Sequence, residues 1–328
     1  MMNRRAFVAG TLAILAAPLA AEAQAVGKLY RVGILLVGTA VPIDIPCVDG
    51  VRQGLRERGY VEGKNVVLDV RAAEGRAERL PQLAAELVNL RPDVLMAAST
   101  PGALAAKSAT RTIPLVIMAV GDPVGSGLVK SLAHPGGNVT GVSLVNVEFS
   151  GKRRQLLKEA LPRVSRVAFL WNPVNPLNAA VLKETETAAT MLSVKLEPIA
   201  VRAPEDLQSV LVTAAEKRVE ALVVAPDPML LLNRKSMIDF AATNRLPAMY
   251  NFREETESEG LISYGADLHD TCRRAATFVD KILKGAKPAE LFVEQPSRLH
   301  LIINLKTAKA LGLTISLSVL LRADELIQ

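Results

Sequence analysis

Short apolar runs alternate with amphipathic stretches from residue 28 to the end of the chain. Arg31–Val37, Val66–Arg71, Val94–Ala98, Ile113–Val120 and Val139–Val145 have the length and near-continuous hydrophobicity of strands buried on both faces. Between them, Val48–Arg58, Arg76–Leu90, Ala103–Lys107 and Gly125–Ala133 read as helices; in the second, Leu80, Leu83, Ala84, Leu87 and Val88 share one face. The rhythm then restarts. Strands are predicted at Arg166–Trp171, Lys195–Val201, Ala221–Ala225, Ala248–Phe252, Leu261–Tyr264 and His300–Leu305. They alternate with helices at Gly151–Leu161, Leu177–Met191, Pro204–Lys217, Asn233–Asn244 and Leu268–Lys284, with short helices to the end.

Such alternation predicts parallel sheets with helices on both faces, and two successive blocks predict two such units. No Pro/Gly/Ser-rich linker separates the blocks, so the chain is expected to cross through strands, near Val142–Asn146 and again near Tyr264–Leu268. The expected fold class is α/β: two doubly wound parallel-sheet lobes joined by strand hinges. The N-terminal lobe would take 28–143 plus about 265–290, and the C-terminal lobe 144–264 plus about 291–328.

Composition agrees: 328 residues, 50% hydrophobic and 22% charged, are enough for two ordinary cores, while aromatics are scarce at 4%. The first 25 residues read as a signal peptide rather than as part of the fold. Asn3, Arg4 and Arg5 precede the apolar run Ala6–Ala20, and Ala21-Glu22-Ala23 and Ala23-Gln24-Ala25 have the small-x-small pattern of a cleavage site. Arg4-Arg5 fits general secretion and a twin-arginine signal equally. There is no Cys beside the cleavage site for a lipid anchor, and no later stretch is long and apolar enough to span a bilayer. The expected location is the periplasm. The net charge of +6 is dispersed, which does not imply nucleic acid, and Lys152-Arg153-Arg154 reads as a solvated helix face. Cys47 and Cys272 could bridge in an oxidising compartment if the fold makes them neighbours; their spacing does not decide it.

Candidate chemistry centres on Val94–Lys107, where a strand runs straight into Ser99-Thr100-Pro101-Gly102 and a small-residue helix. Ser or Thr before Pro is a strong helix start, so the two hydroxyls either cap open amides or meet an anion such as a carboxylate. Ligands of parallel α/β sheets sit beyond the carboxyl ends of the strands. Those ends supply Thr39, Ser99, Thr100, Gly121 and Asp122 from the first lobe, and Trp171, Asn172, Asn175, Asp227, Tyr250 and Tyr264 from the second. The set holds hydroxyls, amides, carboxylates and aromatics but no nucleophile–base pair. For the aspartates the alternative is a turn role, for Trp171 and the tyrosines core or hinge packing, and for the asparagines turns or caps. Gly-x-Gly-x-x-Gly, a phosphate loop and a Gly-x-Ser-x-Gly elbow are all missing, and no Cys/His cluster has metal spacing, so neither enzyme nor cofactor is expected.

The segments GLRERGYVEGKNV, AVGDPVGSGLVKSLAHPGGNVTGVS, LWNPVNP, RRAATFVDKILKGAKPAELFVEQPSRLHLIINLKTAKALGLTI and LLRADELIQ resemble the periplasmic substrate-binding proteins of ABC transporters that share the type I periplasmic-binding fold. The resemblance covers nearly all of the chain after the signal peptide. It implies a bilobed protein closing on a small ligand and docking, as a monomer, to a membrane permease with its ATPase. An amino acid, aromatic or branched, is the expected ligand. Its carboxylate would meet Ser99 and Thr100, and its ammonium Asp122 or Asp227. A periplasmic sensor without transport is the alternative. The loop Thr39–Cys47, with Pro42, Ile43, Ile45 and Pro46, is stiffer and more apolar than the family leads one to expect.

Overall fold

The computed structural model describes residues 28–39, 46–144 and 150–328; the expected export signal and most of the loop Thr39–Cys47 lie outside them. The first lobe opens with β1 (Tyr30–Leu36), α1 (Pro46–Arg56), β2 (Val66–Ala72), α2 (Leu80–Asn89), β3 (Val94–Ala98), α3 (Ser99–Ala109), β4 (Leu115–Val120) and β5 (Val139–Ser143). The second comprises α4 (Ser150–Ala160), β6 (Arg166–Trp171), α5 (Pro176–Met191), β7 (Lys195–Ala200), α6 (Leu207–Glu216), β8 (Ala221–Val224), α7 (Pro228–Leu232), α8 (Arg234–Thr243), β9 (Ala248–Tyr250), α9 (Arg253–Glu257) and β10 (Ile262–Gly265). The chain then returns to the first lobe with α10 (Leu268–Leu283) and β11 (Val293–Glu294). It ends in the second with β12 (His300–Asn304), α11 (Leu305–Ala310), α12 (Leu317–Leu320) and β13 (Glu325–Ile327).

The strand orders are β11-β5-β4-β3-β1-β2 and β13-β12-β10-β9-β8-β6-β7. The described pairings are parallel except β10 with β12. Both sheets carry apolar residues on two faces. In the first, Val32, Ile34, Val94 and Met96 pack toward α1 and α10, and Leu35, Leu95 and Ile117 toward α2 and α3. In the second, Phe169, Val223 and Met249 anchor a single large core. Because β11 pairs with β5, the return crossing comes between Glu294 and His300, beyond the boundary expected at about 290.

Three expectations from the pattern need correction. Residues 125–133 form a chain of turns, not a helix: Asp122 Oδ1 accepts from the Gly125 N–H at 2.7 Å, and Gly127 takes a left-handed φ of +71°. The charge run at α4 is not simply a solvated face, since Arg153 is buried at 3% exposure and its Nε donates to the Tyr264 carbonyl at 2.8 Å. The helix after β3 begins at Ser99 itself, with Ala98 at its N-cap and no side-chain cap.

Cys47 and Cys272 form a disulfide between α1 and α10, with Cα atoms 5.0 Å apart. The two helices meet on glycine: a Cβ on Gly50 would lie 2.4 Å from the His269 carbonyl oxygen, and one on Gly54 2.2 Å from that of Arg273. This close approach brings the two cysteines, far apart in the chain, within bonding reach. Replacing both cysteines by Ala is expected to lower unfolding stability by roughly 2–4 kcal/mol, read as a lower urea midpoint; an unchanged midpoint would mean that the glycine packing holds the two helices without the bond.

Candidate functional site

Both sheets direct their parallel strand ends at one cavity of about 60 Å³. The first lobe contributes the ends of β1 (Leu36, Val37) and β3 (Ala98), the start of α3 (Ser99, Thr100), Ala119 of β4, and Cys47. The second contributes Asn175 and Leu177 at the start of α5, Pro226, Asp227 and Pro228 at the β8–α7 junction, Leu231 and Phe252. Leu144 and Leu268 reach it from segments that cross between lobes. A mainly apolar wall with a few convergent polar groups is the usual make-up of a small-molecule site.

At β3–α3 the backbone makes an abrupt turn. Ser99 adopts φ +64°, a left-handed conformation that costs a non-glycine residue on the order of 1–2 kcal/mol. Because α3 begins there, its hydroxyls sit inside the first turn and do not cap it. Ser99 Oγ and Thr100 Oγ1 are buried, and neither has a hydrogen-bond partner among the described residues. An unpaired buried hydroxyl is costly. These two lie at a helix N-terminus, where the partial positive charge favours an anion. Ala119, on the neighbouring strand, is also left-handed at φ +56°.

Asp227 faces them from the other lobe. Its Oδ1 accepts from the Met229 and Leu230 N–H groups at 2.9 and 3.2 Å, capping α7. Its Oδ2 accepts from Asn175 Nδ2 at 2.9 Å and Asn172 Nδ2 at 3.2 Å. Asn172 and Asn175 thus orient a carboxylate. Burial pushes the Asp227 carboxyl above its ordinary range, while the four donors pull it down. A cation brought alongside would favour its ionised form.

Of the residues selected from the sequence, Ser99, Thr100, Asn175 and Asp227 line the cavity. Asn172 stands behind, bonded to Asp227. Gly121 lies tight against the second lobe: a Cβ there would lie 2.2 Å from Leu177 Cδ2. Asp122 holds its own turn, and Thr39 borders a separate surface pocket with Arg71 and Glu74. Trp171 and Tyr264 pack against the second core, and Tyr250 is buried within it, its hydroxyl lacking a hydrogen-bond partner among the described residues. Sequence reasoning missed the apolar wall of Leu144, Leu177, Leu231, Phe252 and Leu268, because it collected polar strand ends; Phe252, closing a predicted strand, was the available signal.

Beside this wall lie two acids, Glu255 buried and Glu254 half-buried. Burial raises Glu255 to about 7, although its carboxylate accepts from the Phe252 and Asn251 N–H groups and faces the Arg153 charge. Burial also lifts Glu254 to about 7, with the charges of Asp267 and Glu257 adding to the effect, and its Oε2 has no hydrogen-bond partner among the described residues. Arg153, itself buried, is lowered to about 10.

Two α/β lobes facing each other across an apolar cavity with polar groups at opposite poles have the architecture of a solute-binding protein. The sequence profile described as ABC transporter substrate binding protein matches residues 39–327, and the chain belongs to that family. It is therefore a substrate-binding component of an ABC transporter and not an enzyme. Such proteins work on the extracellular or periplasmic side, and no described helix is long and apolar enough to cross a membrane.

The chain is 25% identical over 282 residues to a tyrosine-binding protein of Clostridioides difficile, covering 84% of this chain and 81% of that one. Among solved structures, a conserved domain protein from Vibrio cholerae is 32% identical with a TM-score of 0.84, covering 91% of this chain and all of that one (100%). An ABC domain from Streptococcus pneumoniae in complex with L-Trp is 29% identical with a TM-score of 0.84, covering 92% and 100%. More remote likenesses to a leucine-binding protein from Thermotoga maritima and an allitol-bound solute-binding protein from Agrobacterium vitis, both 14% identical, share the type I periplasmic-binding fold.

The two raised acids set a sign for pH dependence. Between 4.5, their ordinary value, and about 7, the folded chain keeps protons on Glu254 and Glu255 that the unfolded chain has lost. Stability from these groups therefore falls as pH rises through that window. Glu197, held at about 2 by Lys195 and Lys217, acts only below it. In urea titrations Glu254→Gln is expected to recover part of the loss between pH 5 and pH 8; a variant with the wild-type pH profile would contradict the burial cost at this carboxyl.

Proposed function

We propose that the chain binds an aromatic L-amino acid, of the tryptophan or tyrosine class, in the cavity between the lobes. It would be exported by its N-terminal signal and work as a periplasmic monomer, delivering its ligand to the permease and ATPase of an ABC importer. The observation that carries this reading is the pairing of opposite poles. Two buried, unpartnered hydroxyls at the start of α3 face an oriented carboxylate at Asp227 across an apolar cavity.

An amino acid fits those poles by charge. Its carboxylate accepts from Ser99, Thr100 and the first-turn amides of α3. Its ammonium lies against Asp227 and stabilises the ionised carboxylate. Its side chain lies against Leu144, Leu231, Phe252 and Leu268. Because the poles belong to different lobes, both sets of contacts are made only when the lobes are together, and ligand therefore favours closure. The tyrosine-binding relative and the L-Trp complex support the aromatic class.

Thermal unfolding of the purified mature chain should shift upward with L-tryptophan or L-tyrosine by mass action, about 2.7 kcal/mol at a hundredfold excess over Kd. Ser99→Ala with Thr100→Ala should weaken L-tryptophan about tenfold or more. L-tryptophan amide, which lacks the carboxylate, should bind weakly and equally to both proteins. An unchanged affinity in the double variant would remove α3 from the site, and a shift by sugars alone would overturn the ligand class.

A further inference from the structure

Phe252 occupies an unusual place. Its side chain lines the ligand cavity, and it also belongs to a small apolar cluster with Leu144, Ala266 and Leu268, against which Leu299 packs. Leu144 lies between β5 and α4, Ala266 between β10 and α10, and Leu299 between β11 and β12. These are the three segments by which the chain passes between the sheets. Phe252 is thus shared by the cavity lining and the apolar cluster that joins the three crossings.

The backbone that carries this ring is not held by a sheet. β9 ends at Tyr250, and Asn251 and Phe252 bend into α9. Their two N–H groups donate to one oxygen, Glu255 Oε2, at 2.8 and 2.9 Å. Asn251 Nδ2 adds a bond to the Val224 carbonyl at 2.8 Å. A carboxylate at the third position of a helix commonly reaches back to the amide at the helix start. Such acids are ordinarily exposed, whereas Glu255 is 1% exposed. Burying a charge is costly unless it is paired and bonded. Here the compensating charge is Arg153, which faces Glu255 and also donates to the Tyr264 carbonyl, beside the second crossing.

We propose that Glu255 is a positioning residue for ligand binding: it fixes Phe252 as a wedge between cavity and hinge, and Arg153 ties this anchor to the β10–α10 crossing. Phe252 lines the cavity and Glu255 does not, so Glu255 acts through the ring. This rests on the cavity being the ligand site, as argued under the proposed function.

A double-mutant cycle on the intact mature chain with L-tryptophan tests the idea. Glu255→Ala should weaken binding about tenfold or more, and Glu255→Gln, which keeps an acceptor oxygen for the two N–H groups, should restore most of it. In a Phe252→Ala background, Glu255→Ala should have no further effect on affinity. Additive losses, or an unchanged affinity in Glu255→Ala, would overturn the proposal, since a purely structural acid would change the melting temperature alone. Should Glu255→Ala not fold, Glu255→Asp, one methylene shorter, carries the same cycle. Hydrogen exchange provides an arm independent of ligand: protection of the Asn251 and Phe252 amides should fall in Glu255→Ala, or in Glu255→Asp in its place, and persist in Glu255→Gln. If the wild type binds neither L-tryptophan nor L-tyrosine, the amino-acid reading fails and exchange decides the anchor; unchanged protection in the variant would overturn it.

Discussion

Parallel strands point their carboxyl ends the same way, and in this protein two such sheets present those ends to each other. That constraint organises the molecule. Backbone groups that leave β1, β3 and β4 on one side, and β8 on the other, have no further strand to pair with, so polar groups collect where the lobes meet. The strands behind them are apolar on both faces and buried, which holds the ends rigidly in place.

Within that frame the two sides of the cavity are built differently. The first lobe stores unfavourable conformations: Ser99 and Ala119 are left-handed without being glycine, and the hydroxyls of Ser99 and Thr100 are buried without partners among the described residues. Backbone strain and unpaired polar groups persist only where surrounding structure enforces them, and they cluster at functional sites. The second lobe is satisfied instead. Asp227 receives four hydrogen bonds, and the asparagines that supply two of them are themselves bonded to neighbouring backbone. An incomplete pole facing a complete, desolvated acid suits a ligand that carries both charges.

The hinge is apolar at its centre and ionic at its margin. Leu144, Phe252, Ala266 and Leu268 pack together where the chain crosses, while Arg153, Glu255 and Glu254 lie alongside in a low-dielectric setting that shifts all three from their ordinary titration ranges. The disulfide and the glycine contacts of α1 with α10 secure the opposite side of the first sheet.

Much of this was legible in the residues. Apolar runs of strand length separated by amphipathic helices dictate two parallel α/β units, because only a sheet covered on both faces hides strands of that kind. The Ser-Thr-Pro-Gly turn after Val94–Ala98 and the Asp-Pro turn after Ala221–Ala225 supply residues that line the cavity, whereas the Asp-Pro turn after β4, an equal candidate in the sequence, does not. What the chain alone could not decide was set by contacts between distant segments. Cys47 and Cys272 meet because glycines let two helices touch. Arg153, in a run that reads as solvated, is buried because α4 packs on the second sheet, where the guanidinium meets the Tyr264 carbonyl of β10. Phe252 and its leucine neighbours form the wall because three crossings converge there. Periodicity records which face of an element is buried; it carries no record of which other element lies against that face.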